Sequence, residues 1–321
     1  MRPYCANIEI TDRCNFSCIH CFNLRRQRGR DMSFFKFRVI FNKLLKGGVF
    51  YYNLIGGEPL LNKKWRKIVE YISKKKICYS ISTNGSLIRE KDIQYLKNKG
   101  INHVGVSLDG PKHIHNKIRK NNKAFDYLLR CTYLLKKYEI PFTFQMTLMK
   151  LNYPYISQTC KIAEKLGASL IRFNFYKDFN DPYKLLSLPN ENLKNVIIEI
   201  EKSVKLPKRN LNFKVYFEDS LAVSLRNKTT CGAGTHKLQI DPEDNVTPCR
   251  YLQINMGNLY TSKLSTILSH SIMDKLKVFH KTVKRGCEHC YALKTCRGGC
   301  PAFIYNAYKN FSTKDPRCWE N

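Results

Sequence analysis

Ten of the fourteen cysteines in this chain of 321 residues fall into two ordered sets. Cys14, Cys18 and Cys21 form the first set, spaced Cys-x3-Cys-x2-Cys near the start of the chain. Three thiolates on one short loop leave a bound metal centre one ligand short, and an open coordination position is typical of a catalytic centre. The spacing therefore predicts an iron–sulfur enzyme with a reactive cluster on this loop.

The second set contains seven cysteines near the end of the chain: Cys231, Cys249, Cys287, Cys290, Cys296, Cys300 and Cys318. No apolar run approaches the roughly 18 residues of a membrane span, and the first residues lack the apolar core of a signal peptide. Clustered cysteines in such a chain favour metal ligands over disulfides, in the reducing cytoplasm. We expect the four remaining cysteines to behave as small buried apolar residues: Cys5, Cys78, Cys131 and Cys160.

Stretches with strand character alternate with amphipathic helical patterns through the first half of the chain. Six strands are predicted to begin at Asn7, Tyr51, Cys78, His103, Phe142 and Ser169. Such alternation indicates an α/β fold, here a TIM-like partial (β/α)6 barrel with its reactive groups on the loops that follow the strands. We predict this barrel for residues 1–178, a bridging segment for 179–229 and a small cysteine-rich α+β domain for 230–321.

The chain carries a formal net charge of +31. Such an excess of positive charge would attract nucleic acid, an anionic membrane surface or an acidic substrate. The lysines are dispersed over the predicted helix faces rather than gathered in one patch, which favours a bias of composition over a binding surface. A zinc-ribbon protein that binds nucleic acid remains the alternative from a different functional class.

The loop with Cys14, Cys18 and Cys21 resembles that of the radical S-adenosylmethionine (radical SAM) superfamily, and His20 fits the aromatic ring found before the last cysteine. The resemblance implies that the three cysteines hold a catalytic [4Fe–4S] cluster and that S-adenosylmethionine chelates its fourth iron. Residues after the second strand resemble the loop that contacts the methionine amino group: Gly56, Gly57, Glu58 and Pro59. Two glycines allow close approach of the backbone, and a carboxylate can accept hydrogen bonds from an ammonium.

Polar residues after the third and fourth strands resemble the next two cofactor loops: Thr83, Asn84, Ser107 and Asp109. The resemblance implies that they bind the ribose hydroxyls and the methionine carboxylate. Arg119 would either pair with that carboxylate or mark a solvated helix start. We expect Gln145 and Asn174, on the fifth and sixth strands, at the edge of the core, with a pocket-facing position as the alternative.

The second cysteine set resembles the SPASM extension of radical SAM enzymes, which holds two auxiliary [4Fe–4S] clusters. The resemblance implies that Cys231, Cys249 and Cys300 hold the first and that the second is held by Cys287, Cys290, Cys296 and Cys318. A β-hairpin over residues 238–249 would deliver Cys249, with Asp244 in the left-handed turn where the family has glycine. The first auxiliary cluster then lacks one cysteine ligand, so its iron is open or takes a ligand from elsewhere.

The resemblance implies reductive cleavage of S-adenosylmethionine to a 5′-deoxyadenosyl radical, which then acts on a peptide or protein substrate. Thioether formation, carbon–carbon crosslinking and epimerisation are the expected reactions. Formylglycine formation is disfavoured because Arg250 stands where sulfatase-maturating enzymes carry aspartate. The alternative is a small-molecule oxidoreductase or decarboxylase acting on a tetrapyrrole, sugar or alcohol.

Two protein partners are expected besides the substrate. The chain begins almost at its first strand, so a peptide substrate would need a separate leader-recognition protein or leader-independent capture. A flavodoxin or ferredoxin-type protein would supply electrons. No membrane partner is expected, and nucleic acid is disfavoured.

Overall fold

The computed structural model describes residues 3–21, 29–177, 186–205, 213–217, 231–291 and 293–319. One nine-stranded sheet organises these residues, in the order β7-β6-β5-β4-β3-β2-β1-β8-β9. The strands are β1 (Cys5–Thr11), β2 (Tyr51–Gly56), β3 (Cys78–Thr83), β4 (His103–Ser107), β5 (Phe142–Leu148), β6 (Leu170–Phe175), β7 (Lys214–Phe217), β8 (Lys237–Ile240) and β9 (Val246–Thr247). Only β8 and β9 pair antiparallel; the other neighbours are parallel.

Helices connect most of these strands. They are α1 (Phe34–Lys46), α2 (Trp65–Lys74), α3 (Glu90–Asn98), α4 (Lys112–Arg119), α5 (Ala124–Lys137), α6 (Ile156–Lys165), α7 (Asn190–Lys205), α8 (Leu264–Leu268), α9 (Ser271–Phe279), α10 (Leu293–Cys296) and α11 (Pro301–Tyr308). Short 3₁₀ turns cover Pro59–Leu61 and Tyr153–Tyr155. The predicted α/β architecture of six strand–helix units is confirmed.

The two faces of the strands differ in polarity. In β1, Ala6, Ile8 and Ile10 are completely buried in the main apolar core. The alternate residues of a strand point to the opposite face, and in β1 these include Asn7 and Glu9. We call the face that carries Asn7 and Glu9 the inner face of the sheet. Full (β/α)8 barrels fill their interior with branched apolar side chains. The inner face of this sheet carries polar side chains instead, which leaves room for a cavity.

The C-terminal part of the chain extends the same sheet. Strand β8 lies parallel to β1, with Cys5 opposite Lys237 and Ile8 opposite Ile240. The predicted hairpin is present as β8 and β9, and Asp244 in its turn has a φ of 73°. Lys36 of α1 donates to the buried Asp244 carboxylate at 2.6 Å. The hairpin is therefore attached both to the first strand and to the first helix.

Several sequence predictions can be compared directly with this fold. Of the predicted bridging segment, only 186–205 and 213–217 belong to the described residues, and the remainder lies outside them. Cys5, Cys131 and Cys160 are buried as expected. The prediction for Cys78 is wrong, because it opens β3 at the exposed end of the strand. Within the described ranges, no helix combines the length and apolar character needed to cross a membrane.

Candidate functional site

A cavity of about 550 Å³ runs along the inner face of the sheet and over the carboxyl ends of its strands. Two groups of cysteines line it, in addition to Cys5 of β1. The first is Cys14, Cys18 and Cys21, on the loop after β1; the second is Cys231, Cys249 and Cys300, from the C-terminal part of the chain. Cysteines more than two hundred positions apart in the sequence thus line one cavity.

The first cysteine loop is fixed against the loop after β2. The N–H groups of Gly57 and Glu58 donate to the carbonyls of Thr11 and Arg13, at 2.9 and 2.8 Å. A Cβ atom on Gly57 would overlap the carbonyl of Arg13. Glycine at this position therefore allows the two loops to touch through their backbones.

Polar groups surround the sulfur atoms of this loop. The N–H of Phe16 donates to Cys14 Sγ at 3.5 Å, and Arg119 Nη1 donates to Cys18 Sγ at 3.7 Å. Burial nevertheless raises the pKa of Cys14 to about 11 and also raises that of Cys18. Because a metal centre binds thiolates, loading this loop would release protons.

Arg119 is held by a buried ion pair. Its Nε donates to Asp109 Oδ2 at 2.6 Å, and the N–H of Thr147 donates to the other carboxylate oxygen at 3.3 Å. Burial alone would raise the pKa of Asp109, but Arg119 and the neighbouring histidines hold it below its ordinary value. Arg119 is the last residue of α4 and is only 9% exposed, so the expectation of a solvated helix start is wrong.

Glu58 lies behind the cavity wall instead of on it. Its carboxylate accepts hydrogen bonds from Thr83 Oγ1 and from the N–H of Asn84, both at 2.8 Å. Burial raises the pKa of Glu58 to about 7. The side chain thereby ties the loop after β2 to the loop after β3 and orients Thr83 and Asn84.

The ten residues predicted to bind the cofactor separate into two groups. Seven line the cavity: His20, Gly56, Gly57, Thr83, Asn84, Ser107 and Arg119. The other three are buried and do not line it: Glu58, Pro59 and Asp109. The contacts of Glu58 and Asp109 make them supports for residues on the wall.

Sequence patterns missed part of the wall. Gln145 and Asn174 line the cavity, so the expectation that they lie only at the core edge is wrong. Gln145 Nε2 donates to Ser82 Oγ at 3.4 Å, across Gly105, where a Cβ atom would come within 2.8 Å of the Gln145 amide nitrogen. Polar residues at every second position of a strand are the signal that indicates such an inner face.

The second trio lines the same cavity as the first. Burial raises the pKa of Cys231 to about 12 and also raises that of Cys249. Lys177, two positions after β6, donates from Nζ to Cys300 Sγ at 3.9 Å and lines the same cavity. The barrel therefore contributes a cation to a cysteine group of the C-terminal part.

The remaining four cysteines form a separate group behind this wall. Cys287, Cys290, Cys296 and Cys318 are close enough for charge on one to raise the pKa of another. Asp315 connects the two groups, since its carboxylate accepts from the N–H of Cys300 at 2.8 Å and its carbonyl accepts from the N–H of Cys318 at 2.9 Å. The cavity lining includes none of these four cysteines among the described residues.

The residues present fit iron–sulfur clusters and S-adenosylmethionine. Both trios on the cavity wall consist of cysteines, whose thiolates are the ligands of iron–sulfur clusters. A single zinc ion gathers its ligands around one atom. A [4Fe–4S] cluster instead distributes its thiolates over separate irons. His20 Nδ1 is buried without a hydrogen-bond partner among the described groups, and the polar cavity beside it is the place for a polar ligand.

Comparison with known proteins agrees with this chemistry. Residues 8–163 match the model of the Radical SAM superfamily, and residues 231–291 match SPASM, an iron–sulfur cluster-binding domain. The antilisterial bacteriocin subtilosin biosynthesis protein AlbA of Bacillus subtilis is 25% identical over 90% of this chain and 64% of its own length. An AdoMet-dependent heme synthase of Methanosarcina barkeri is 23% identical over 97% of this chain and 94% of its own length. The chain thus spans slightly less than two thirds of AlbA.

Solved structures share the fold. SuiB of Streptococcus suis bound to precursor peptide SuiA superposes with a TM-score of 0.81 at 18% identity, over 99% of this chain and 76% of that one. The enzyme anSMEcpe with bound AdoMet gives a TM-score of 0.83 at 20% identity, over 99% and 95% of the two chains. At this identity the similarity establishes the architecture of both domains.

Proposed function

The chain is a radical SAM enzyme with a SPASM domain, and we propose that it cleaves S-adenosylmethionine reductively to modify a peptide. Its cofactors are [4Fe–4S] clusters and S-adenosylmethionine. When bound, they supply a one-electron reductant and a carbon radical able to remove a hydrogen atom from a substrate. The assignment of individual residues to each cluster is part of the proposal.

One observation carries the proposal: a single cavity is lined by both cysteine trios. A substrate in that cavity would lie between the radical source at Cys14, Cys18 and Cys21 and the auxiliary site at Cys231, Cys249 and Cys300. Holding the reacting groups in a fixed geometry, away from water, is the protein's main contribution to such chemistry. The three cysteines of the auxiliary site leave one position for a ligand such as a substrate thiolate, which supports thioether formation.

Residues of the first half would position S-adenosylmethionine. Arg119 donates to Cys18 Sγ at 3.7 Å and is held by Asp109 at 2.6 Å, and it would pair with the methionine carboxylate. The backbone of Gly56 and Gly57 lies on the wall beside the loop and would approach the amino group. Thr83 and Asn84, oriented by Glu58, would bind hydroxyl groups of the nucleoside.

The charges on the wall support an acidic peptide. Arg172, Lys177, Lys237 and Arg250 line the cavity, whereas no Asp or Glu does so within the described ranges. Carboxylates of a substrate would meet these cationic side chains on the wall. The names of the relatives point to the same class, since AlbA is a bacteriocin biosynthesis protein and SuiB was solved with a precursor peptide.

A second candidate function is oxidation or decarboxylation of a small carboxylate-bearing molecule. It is favoured by the heme synthase relative, which the chain covers almost completely, and a tetrapyrrole would also suit the cationic wall.

A flavodoxin or ferredoxin-type donor and a separate leader-recognition protein remain proposals for either reaction. We also propose a cytoplasmic setting, because the described cysteines are free thiols, as expected of a reducing compartment.

Anaerobic reconstitution tests the proposal. We expect about twelve irons per chain, since three [4Fe–4S] clusters are implied, and cleavage of S-adenosylmethionine on reduction. Acidic cysteine-containing peptides and carboxylate-bearing tetrapyrroles, with and without iron, would be compared as substrates by mass spectrometry. A peptide that loses two hydrogens supports the first function, whereas loss of carbon dioxide from the macrocycle supports the second.

Two matched variants separate the roles of the two trios. Cys18→Ala should abolish S-adenosylmethionine cleavage, whereas Cys300→Ala should keep cleavage and lose the modified product. A colourless protein that binds zinc, or a Cys18→Ala variant that cleaves at the wild-type rate, would contradict the proposal.

A further inference from the structure

Lys177 is a buried lysine at the boundary between the barrel and the C-terminal cysteines. It is 8% exposed, and its Nζ lies 3.9 Å from Cys300 Sγ. The ammonium also lies over the ring of Tyr251, 4.8 Å from its centroid, and 5.9 Å from that of Phe303. Lysines are almost never buried to this degree unless they are paired, and a thiolate at Cys300 would place negative charge beside this ammonium.

The cysteine trio supplies that charge. Cys300 is in direct contact with Lys177, and the charge of Lys177 also acts favourably on the thiolate forms of Cys231 and Cys249. Three thiolates around a [4Fe–4S] core of charge +2 leave a net charge of −1, which one lysine balances. The four cysteines Cys287, Cys290, Cys296 and Cys318 do not line the cavity, and the positive charge of a different lysine, Lys314, acts on Cys287.

We propose that Lys177 is the charge partner of the Cys231–Cys249–Cys300 site and sets the reduction potential of the cluster bound there. This inference rests on the proposed function only in assigning a cluster to that trio. Net charge and hydrogen bonds to sulfur are the main determinants of cluster potential. A cation against Cys300 stabilises the reduced, more negative cluster, so its removal makes reduction harder. Lys177 thus acts through the cluster at this site, because it changes how readily that cluster accepts an electron.

The test is a redox titration followed by electron paramagnetic resonance, in the full-length chain without substrate. A Cys14→Ala, Cys18→Ala, Cys21→Ala background removes the signal of the first cluster and leaves the two auxiliary ones. In that background Lys177→Met removes the charge and the donor, Lys177→Gln removes only the charge, and Lys177→Arg keeps both. The cluster at Cys287, Cys290, Cys296 and Cys318 is the internal control within each sample.

In Lys177→Met and Lys177→Gln we expect the midpoint potential of the cluster at the trio to fall by about 59 mV. At the wild-type midpoint potential, this shift lowers the ratio of reduced to oxidised cluster about tenfold for a one-electron reduction. The arginine variant should restore the ratio to within about twofold. The potential of the control cluster should shift less than that of the trio, because Lys177 contacts Cys300 directly and none of the four control cysteines lines the cavity wall on which Lys177 lies. If Lys177→Met fails to retain iron, the difference in potential between Lys177→Gln and Lys177→Arg tests the same inference.

Three results would overturn the inference. They are wild-type potentials in the neutral variants, equal shifts in both auxiliary clusters, or loss of the first auxiliary cluster in the arginine variant as well as the neutral ones. The last two would make Lys177 a structural residue. Because no substrate is present, an error in the proposed peptide specificity would leave the measured potentials unchanged.

Discussion

His115 is a buried histidine that supports the ion pair beside the first cysteine loop. Its Nδ1 accepts a hydrogen bond from the N–H of Asp109 at 3.1 Å, and its ring is 1% exposed. Burial, together with the positive charge of Arg119, lowers the pKa of His115 to about 3. The folded protein therefore holds this ring neutral at pH values where the unfolded chain would protonate it.

The difference between the pKa of His115 in the folded and in the unfolded chain predicts that this residue makes the stability of the protein fall at acid pH. At pH values above the unfolded-state pKa of about 6.5, His115 makes its full contribution to the free energy of unfolding. This contribution is lost as the pH falls towards 3, by at most about 1.4 kcal/mol per pH unit. In His115→Gln, which keeps an acceptor but cannot titrate, thermal midpoints between pH 4.5 and 7 should depend less steeply on pH than in the wild type. Parallel curves for the two proteins would contradict the assignment, and His113→Gln, at an exposed position of the same helix, is the control.

The contact between the loops after β1 and β2 depends on a glycine. A Cβ atom at Gly57 would collide with the backbone of Arg13, which cannot rotate away as a long side chain can. Gly57→Ala should therefore displace the cysteine loop, destabilise the fold by about 1–3 kcal/mol and weaken S-adenosylmethionine binding at least about tenfold. Differential scanning calorimetry and equilibrium dialysis would measure the two effects.

Gly232→Ala is the matched control for this substitution. A Cβ atom there would lie 3.5 Å from the Cβ of His236, an ordinary van der Waals contact. We expect its thermal midpoint and cofactor affinity to remain at wild-type values. Equal losses in the Gly57 and Gly232 variants would show that the tight contact with Arg13 has no special role.

The six strands and the cysteine loops could be predicted because each depends on local patterns of period, spacing and turn residues. The position of Glu58 could not, because a Gly-Gly-Glu-Pro string does not reveal that Thr83 and Asn84 will satisfy its carboxylate. The same holds for Lys177, which looks like any other lysine in a basic chain. Its burial depends on Cys300, more than a hundred positions later, and becomes apparent only when the sheet brings both to one cavity.

The pairing of β8 with β1 makes the two domains parts of one sheet. Lys43 of α1 reinforces this connection, since its Nζ donates to the carbonyls of Leu259, Tyr260 and Ser262 at 2.7 to 2.9 Å. A barrel and a cysteine domain joined in this way should unfold together. The cavity between the two cysteine trios then keeps its shape only while the connection holds.

Lys43→Met tests this coupling, because it keeps the apolar stem of the side chain and removes its charge and donors. Hydrogen bonds to charged groups contribute about 1.5–3 kcal/mol, so we expect a loss of stability in that range. Hydrogen exchange should become faster both in β8 and in the residues around Leu259, since the three carbonyls lose their shared partner. Lys46→Met, at an exposed position one turn further along the same helix, should leave exchange unchanged. If exchange in the Lys43 variant rises only near Leu259 and β8 stays protected, the cysteine domain is held by the sheet alone and Lys43 does not couple the two parts.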